Sequence, residues 1–200
     1  MNDHYYSADP QSKHNIREFR TTFRGEEYTF QTDAGVFSKD HVDRGTKLLI
    51  DALDMRNVKS ALDIGCGYGP IGIVMAKEAP ECRVAMVDPN LRAVELAQEN
   101  AEINHVQVEV RQGEGCLPFD DERFDLIVTN PPIRAGKKVV FDLVDQSFNH
   151  LNPGGRFLAV IRTQQGAASL AKKIEEVFGE IEEVEKGGGF RVLQGVKGNG

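Results

Sequence analysis

Residues 60–72 read Ser-Ala-Leu-Asp-Ile-Gly-Cys-Gly-Tyr-Gly-Pro-Ile-Gly, and this stretch decides the fold. Ser60 to Ile64 is a short apolar run that predicts a strand, the glycines after it predict a tight turn, and a helix is expected from about Gly69 to Glu78. The unit then repeats. Arg83 to Val87 reads as a second strand, followed by a helix from Leu91 to about Asn104 in which Leu91, Val94, Ala97 and Ala101 recur at helical spacing. Val106 to Arg111 and Phe124 to Thr129 are expected as the third and fourth strands, the latter an apolar run suited to burial on both faces. A helix from Val139 to His150 is expected to stop at Leu151-Asn152-Pro153-Gly154-Gly155, whose proline and glycines turn the chain. Arg156 to Ile161 then reads as a fifth strand and Ala167 to Phe178 as a helix. Strands alternating with helices in this way predict an α/β fold, a Rossmann-like, doubly wound and mostly parallel sheet.

Both flanks depart from that alternation. Ile181 to Glu185 and Phe190 to Val196, joined through Gly187-Gly188-Gly189, read as a hairpin that adds an antiparallel edge. Near the other end, Phe19, Thr21 and Phe23 alternate with Arg20, Thr22 and Arg24, and a turn at Gly25 leads into Tyr28-Thr29-Phe30, which predicts a second small hairpin. A helix from Arg44 to about Met55 follows, with Leu48, Leu49, Ala52 and Leu53 on one face. No internal repeat or linker interrupts the chain. The expected organisation is an N-terminal extension over residues 1–45 and one domain over residues 46–200.

The 200 residues are 40% hydrophobic and 28% charged, a globular composition that excludes disordered, collagen-like and disulfide-scaffold classes. The three cysteines, Cys66, Cys82 and Cys116, are odd in number and lack a CxxC pair, and the five histidines show no ligand spacing, so no metal is expected. No apolar run approaches the ~18 residues of a membrane span, and Met1 to Tyr6 lacks the pattern of a secretory signal, which predicts a cytoplasmic protein without a membrane partner. A formal charge of −7 requires any nucleic-acid partner to meet a local basic patch. Lys39, Arg44, Arg134, Lys137 and Lys138 lie apart from the glutamates crowded between Glu175 and Glu185, so such a patch is available. The oligomeric state is left open, with a monomer favoured.

In open parallel sheets ligands bind beyond the carboxyl ends of the strands, where strand order reverses. Four strand ends carry suitable residues. The turn after the first strand offers Asp63, Gly65, Gly67 and Gly69: glycines let a ligand approach the backbone, and the carboxylate can meet a positive group. Gly67-x-Gly69-x-x-Gly72 equally satisfies the dinucleotide fingerprint. Asp88, about twenty residues on, stands where an acidic side chain accepts hydrogen bonds from ribose hydroxyls, although Asp88-Pro89-Asn90 also reads as a helix cap. Glu114, in Gln112-Gly113-Glu114-Gly115, could face an adenine edge or merely sit in a polar turn. Asn130-Pro131-Pro132 ends the fourth strand. The prolines stiffen this loop and are expected to leave its carbonyls free. If the Asn130 side-chain oxygen and the Pro131 carbonyl each accept one N–H of a planar amine, the nitrogen can pyramidalise and aim its lone pair at an electrophile.

Asp63-x-Gly65-x-Gly67-x-Gly69, Asp88 and Asn130-Pro131-Pro132 together resemble the motifs of class I S-adenosylmethionine-dependent methyltransferases that act on planar amines. Gly35-Val36-Phe37-Ser38, Asp43, Gly45-Thr46 and Gly188-Gly189-Phe190-Arg191-Val192 extend the resemblance to the single-domain form of the ribosomal RNA small-subunit guanine-N2 methyltransferase family, over roughly residues 30–197. That resemblance implies a seven-stranded sheet with its last strand antiparallel and S-adenosylmethionine as cofactor. It implies that Gly65, Gly67 and Gly69 shape the methionine pocket, Asp63 orients the amino group, Asp88 holds the ribose and Glu114 neighbours the adenine. Asn130 and Pro131 would hold the target amine as catalytic groups, Asn130 also bordering the cofactor. Pro132, Ile133, Arg134, Lys137 and Phe37 would meet the substrate, Phe37 being readable as a core side chain as well. Many amine methyltransferases carry an aromatic residue after the two prolines; here that position is Ile133, followed by three cations suited to phosphate.

The expected reaction is therefore methyl transfer to guanine N2 of ribosomal RNA, with the RNA or an assembled small subunit as partner. Adenine N6 and a protein glutamine amide fit the same clamp, and a non-catalytic RNA-binding module fits the same fold. A nicotinamide-dependent oxidoreductase would explain the glycine fingerprint but leaves Asn130-Pro131-Pro132 without a role.

Overall fold

The computed structural model describes residues 13–36 and 41–199. The first element is a hairpin, β1 (Arg17–Phe23) and β2 (Glu26–Thr32), as the alternation predicts. Its two-residue turn has φ of 53° at Arg24 and 85° at Gly25, the positive pair that matches the twist of the flanking strands. One face buries Phe23, Tyr28 and Phe30. A two-stranded hairpin is marginal alone, and α1 (Arg44–Asp51) and later helices cover it.

The main sheet contains β3 (Ser60–Ile64), β4 (Arg83–Asp88), β5 (Glu109–Gln112), β6 (Phe124–Thr129), β7 (Leu151–Arg162), β8 (Glu182–Gly187) and β9 (Phe190–Val196). They lie in the order β5-β4-β3-β6-β7-β9-β8, seven strands with β9 antiparallel to both its neighbours. The other pairings are parallel. Helices α1, α2 (Pro70–Glu78) and α3 (Leu91–Ile103) pack on one face, over a core holding Leu49, Ile73, Leu96, Leu126 and Val128. Helices α4 (Lys137–Asn149) and α5 (Ala167–Phe178) close the other, over Ile127, Val144, Phe157 and Leu170. Successive residues of β6 thus feed opposite cores, the two-residue period of a strand buried on both sides. Phe23, Tyr28 and Phe30 belong to the first of these cores, so the hairpin shares its apolar interior with the main sheet.

Four boundaries differ from the sequence expectation. Helix α1 stops at Asp51 rather than near Met55, because the Arg24 guanidinium, reaching over from the hairpin turn, donates to the carbonyls of Ile50 (3.0 Å) and Leu53 (2.7 Å) and satisfies the helix end. Strand β5 starts at Glu109, not Val106. The Val106 N–H is spent on the Ala101 carbonyl (3.0 Å), and His105 adopts φ of 57°, so these residues finish α3. Helix α4 begins two residues early, at Lys137, behind Gly136 with φ of 106°. Strand β7 begins at Leu151, inside the segment read as a turn. Leu151 pairs with Phe124, the register slips before Leu126, and Gly154 and Gly155 exchange hydrogen bonds with Lys197. The proline and glycines make a bulge in a strand instead of a stop. Among the described residues no helix is long and apolar enough to cross a membrane.

Candidate active site

Strand order reverses between β3 and β6, and the carboxyl ends of these two strands, with β4 beside them, carry the residues singled out above. After β3 the chain turns through Gly65, Gly67 and Gly69 at φ of 70°, 59° and 98°, values that side-chain-bearing residues rarely adopt. The Gly65 and Cys66 N–H groups donate to the Val87 carbonyl at 2.8 and 3.0 Å, tying the turn to β4. Open space lies where a Cβ of Gly65 would stand, so the backbone there is bare to a ligand. Gly72 serves a different purpose. A Cβ there would come within 2.2 Å of Met86 Sδ, so this third glycine of the fingerprint permits close packing of α2 on β4.

Asp63 is fully buried under this turn. One carboxylate oxygen accepts the Gly72 N–H at 3.2 Å, and the other has no partner among the described residues. Burial, reinforced by the neighbouring charge of Asp88, pushes its carboxyl up to about 8, against the stabilising Gly72 hydrogen bond. Asp88 braces the same loop, accepting the Gly67 N–H and the Asn90 N–H, each at 2.9 Å. The cap of α3 is Asn90, whose side-chain oxygen accepts from Ala93 N–H at 3.2 Å, so the capping role read at Asp88-Pro89-Asn90 falls to Asn90 alone. The Gly113 N–H donates to the Asp88 carbonyl at 3.1 Å, which sets the next residue, exposed Glu114, beside this strand end.

Asn130 is half-buried at the end of β6, and its side-chain amide is oriented by α1. Asp43 caps that helix, accepting the Thr46 N–H (3.1 Å) on one oxygen and the Thr46 hydroxyl proton (2.7 Å) on the other. With its proton committed to Asp43, the Thr46 hydroxyl can only accept from Asn130. The Asn130 Nδ2 group donates to it at 3.1 Å and to the Asp43 carboxylate at 3.5 Å. Two acceptors therefore hold the amine half of the carboxamide, and its oxygen is turned away from them. The sequence assigned Asp43 and Thr46 no role at the site, and the structure sets both against Asn130. Their helix-capping spacing is readable, but their contact with Asn130 spans 84 to 87 residues.

The expectation of free carbonyls in the proline loop is wrong in part. Pro132 adopts φ of −77° and ψ of 78°, an inverse γ-turn, and the Pro131 carbonyl accepts the Ile133 N–H at 2.9 Å. The Pro132 carbonyl accepts from Ala135 N–H at 2.9 Å. Each carbonyl keeps one lone pair for another donor. Pro131 is buried and Pro132 half-buried. Ile133 packs against the core under α4 and α5, while Arg134, Lys137 and Lys138 are exposed. Phe37 lies outside the described residues. Cys66 is buried within the glycine turn, where burial and the two aspartates push its thiol up strongly, so it is a filler and not a nucleophile. Among the described residues no group of side chains could hold a metal. A cleft of about 600 Å³, lined by Arg24, Leu53, Asp54, Met55, Arg56 and Glu78, lies at the opposite end of the sheet from these strand ends.

Residues 27–194 match the family described as Methyltransferase small domain. The chain belongs to that family. A Bacillus subtilis relative, the uncharacterized protein YbxB, is 42% identical to this methyltransferase over 200 residues, covering 98% of this chain and 100% of that one. Ribosomal RNA small subunit methyltransferase C of Photorhabdus laumondii is 31% identical over 180 residues, 88% of this chain and 52% of that one. Among solved structures, the T. thermophilus 16S rRNA N2 G1207 methyltransferase RsmC, in complex with AdoMet and guanosine, is similar with a TM-score of 0.82 at 30% identity, over 94% of this chain and 52% of that one. The methyltransferase thus spans the full length of the first relative and about half the length of the other two. Membership brings with it the methyl donor of the family, S-adenosylmethionine, and removes the nicotinamide reading.

Proposed function

We propose that this methyltransferase transfers the methyl group of S-adenosylmethionine to guanine N2 in small-subunit ribosomal RNA. The observation that carries the reading is the fixed carboxamide of Asn130, whose oxygen is left to accept an N–H at the mouth of the sheet. The choice of guanine N2 rests on the similarity to the T. thermophilus 16S rRNA N2 G1207 enzyme, and the choice of RNA over a protein glutamine on that enzyme and the P. laumondii ribosomal RNA methyltransferase.

The residues present fit the cofactor: a buried carboxylate oxygen of Asp63 without a partner, a bare backbone at Gly65, and Asp88 at the end of β4. Gly65, Gly67 and Gly69 would border its methionine part, Asp63 its ammonium, Asp88 its ribose and Glu114 its adenine. When bound, S-adenosylmethionine supplies an electrophilic methyl group on a sulfonium. The Asn130 oxygen accepts one N–H of the guanine amine, and the remaining lone pair of the Pro131 carbonyl accepts the other. Held this way, the nitrogen withdraws its lone pair from the ring and forms the new N–C bond as the S–C bond breaks; the surplus proton then leaves to water. Pro132 contributes apolar surface beside the base, Ile133 being turned toward the core under α4 and α5, and Arg134, Lys137 and Lys138 contact phosphates.

The test is transfer of labelled methyl groups to naked ribosomal RNA, isolated small subunits and cell protein, followed by digestion to nucleosides. Label in N2-methylguanosine is expected, and loss of turnover by on the order of 100-fold in Asn130→Ala with cofactor binding retained. Label in N6-methyladenosine or in protein would replace the acceptor, and RNA binding without transfer would leave a binding module.

A further inference from the structure

Of the motifs noted in the sequence, Gly188-Gly189-Phe190-Arg191-Val192 is given no role by the amine site. Phe190 begins β9 and pairs with Arg162, the last residue of β7. The Thr163 N–H donates to the Gly189 carbonyl at 2.9 Å, which locks the two strand ends together. Val128, Val160 and Val192 all face the core beneath α1. Two residues along each strand, Asn130, Arg162 and Phe190 continue that face, so the pleat sets all three on the same side at the carboxyl end of the parallel strands.

The Phe190 ring also meets the turn that orients Asn130. A Cβ at Gly45 would lie 2.9 Å from Phe190 Cε1 and 3.2 Å from an Asp43 oxygen, so the missing side chain is what lets the ring lie against the start of α1. The Arg162 guanidinium carbon sits over the ring, 5.1 Å from its centroid. Arg162 is exposed, Phe190 is half-buried, and among the described residues no carboxylate pairs with Arg162. In a chain of net charge −7 with acidic partners for many of its arginines, a guanidinium held over an aromatic ring and otherwise open is a recognition surface in waiting. The plane of a guanidinium is weakly hydrated and stacks on nucleobases, and a ring beneath it removes much of its rotamer freedom beforehand.

Resting on the RNA reading above, we propose that Arg162 and Phe190 form the shelf on which a nucleobase of the substrate strand stacks beside Asn130. The shelf supplies the flat contact that Ile133 cannot, since Ile133 is drawn into the core on the opposite face of the sheet.

Guanosine, which carries no phosphate, separates stacking from charge attraction. In a titration with guanosine, Arg162→Lys and Phe190→Leu are each expected to lose roughly 10- to 100-fold in affinity, while Phe190→Tyr retains it and S-adenosylhomocysteine binding is unchanged in all three. Wild-type guanosine affinity in Arg162→Lys would overturn the shelf, because lysine keeps the charge and loses only the plane. Should Phe190→Leu fail to fold, Arg162→Lys carries the test by itself. Methylation assays on the same variants keep the two readings apart. If the wild-type chain methylates no RNA while guanosine binding still depends on Arg162, the reaction fails and the shelf stands. If both variants form N2-methylguanosine at the wild-type rate, the shelf falls and the reaction stands.

Discussion

Replacing Asp63 by asparagine tests whether a carboxyl group beneath the glycine turn is held neutral by burial. Its ordinary value of 3.8 is raised to about 8 by burial and then by Asp88, so the folded chain keeps a proton that the unfolded chain gives up. Stability associated with this group is fully present below pH ~4, falls as pH rises, and is fully lost above about 8. Each pH unit inside that window costs about 1.4 kcal/mol. Between pH 6 and pH 9 the cofactor-free protein crosses roughly two units of it, a loss of about 3 kcal/mol. The substituted carboxamide would keep an acceptor for the Gly72 N–H, carry no ionisable proton and leave the surrounding turn the same volume. Urea unfolding of wild type and Asp63→Asn at pH 6 and pH 9 measures the difference, with contributions from all other groups cancelling between the two chains. Wild type is expected to fall about 3 kcal/mol further than the variant. Parallel profiles would show that Asp63 is ionised in the folded state at neutral pH and would refute the reasoning.

Asn100→Ala removes a fully buried amide that bonds the Gln31 N–H and carbonyl and the Tyr68 carbonyl; about 3 kcal/mol should be lost, a fall in Tm of roughly 6–12 °C by calorimetry. Tyr28→Phe deletes a buried hydroxyl with no hydrogen-bond partner, and its Tm should hold or rise slightly; a drop of several degrees would mean the hydroxyl is bonded. Thr46→Val removes the nearer of the two acceptors that hold the Asn130 amide, leaving only the 3.5 Å contact with Asp43. A kcat reduced about 10-fold or more, with unaltered S-adenosylhomocysteine affinity, is expected from loosening of the amide, and an unchanged kcat would show that Asn130 needs no such support.

What could be read from the sequence was what local chemistry dictates. The glycine turn, the strand ends at Asp63, Asp88 and Asn130, the antiparallel C-terminal hairpin and the N-terminal hairpin all follow from short-range patterns, and the structure contains each of them. The boundaries that moved did so through partners distant in sequence. Arg24 ends α1 from 26 residues away, and Lys197 recruits Gly154 and Gly155 into β7. The same distance hid the orientation of Asn130. Proline fixes φ but not ψ, so Asn130-Pro131-Pro132 could be recognised as a stiff loop, whereas the γ-turn that occupies the Pro131 carbonyl depends on a ψ of 78° that the ring does not impose. Phe190 and Arg162 were separated by 28 positions along the chain, and only the antiparallel register brings them together.

The outer edge of β2 is paired with side chains rather than with a third strand. Asn104 bonds the Thr29 N–H and carbonyl, Asn100 does the same for Gln31, and Lys77 takes the Glu27 carbonyl. During synthesis this hairpin is made early and its clasp late, 69 to 75 residues later for the two asparagines. At roughly 5–20 residues per second, several seconds to about 15 s pass in which a strand edge bearing Tyr28 and Phe30 has nothing to bind. Nascent chains halted before Asn100 and Asn104 have emerged from the ribosome should consequently be the ones that chaperones hold and proteases find, and those halted once both have emerged the first to escape.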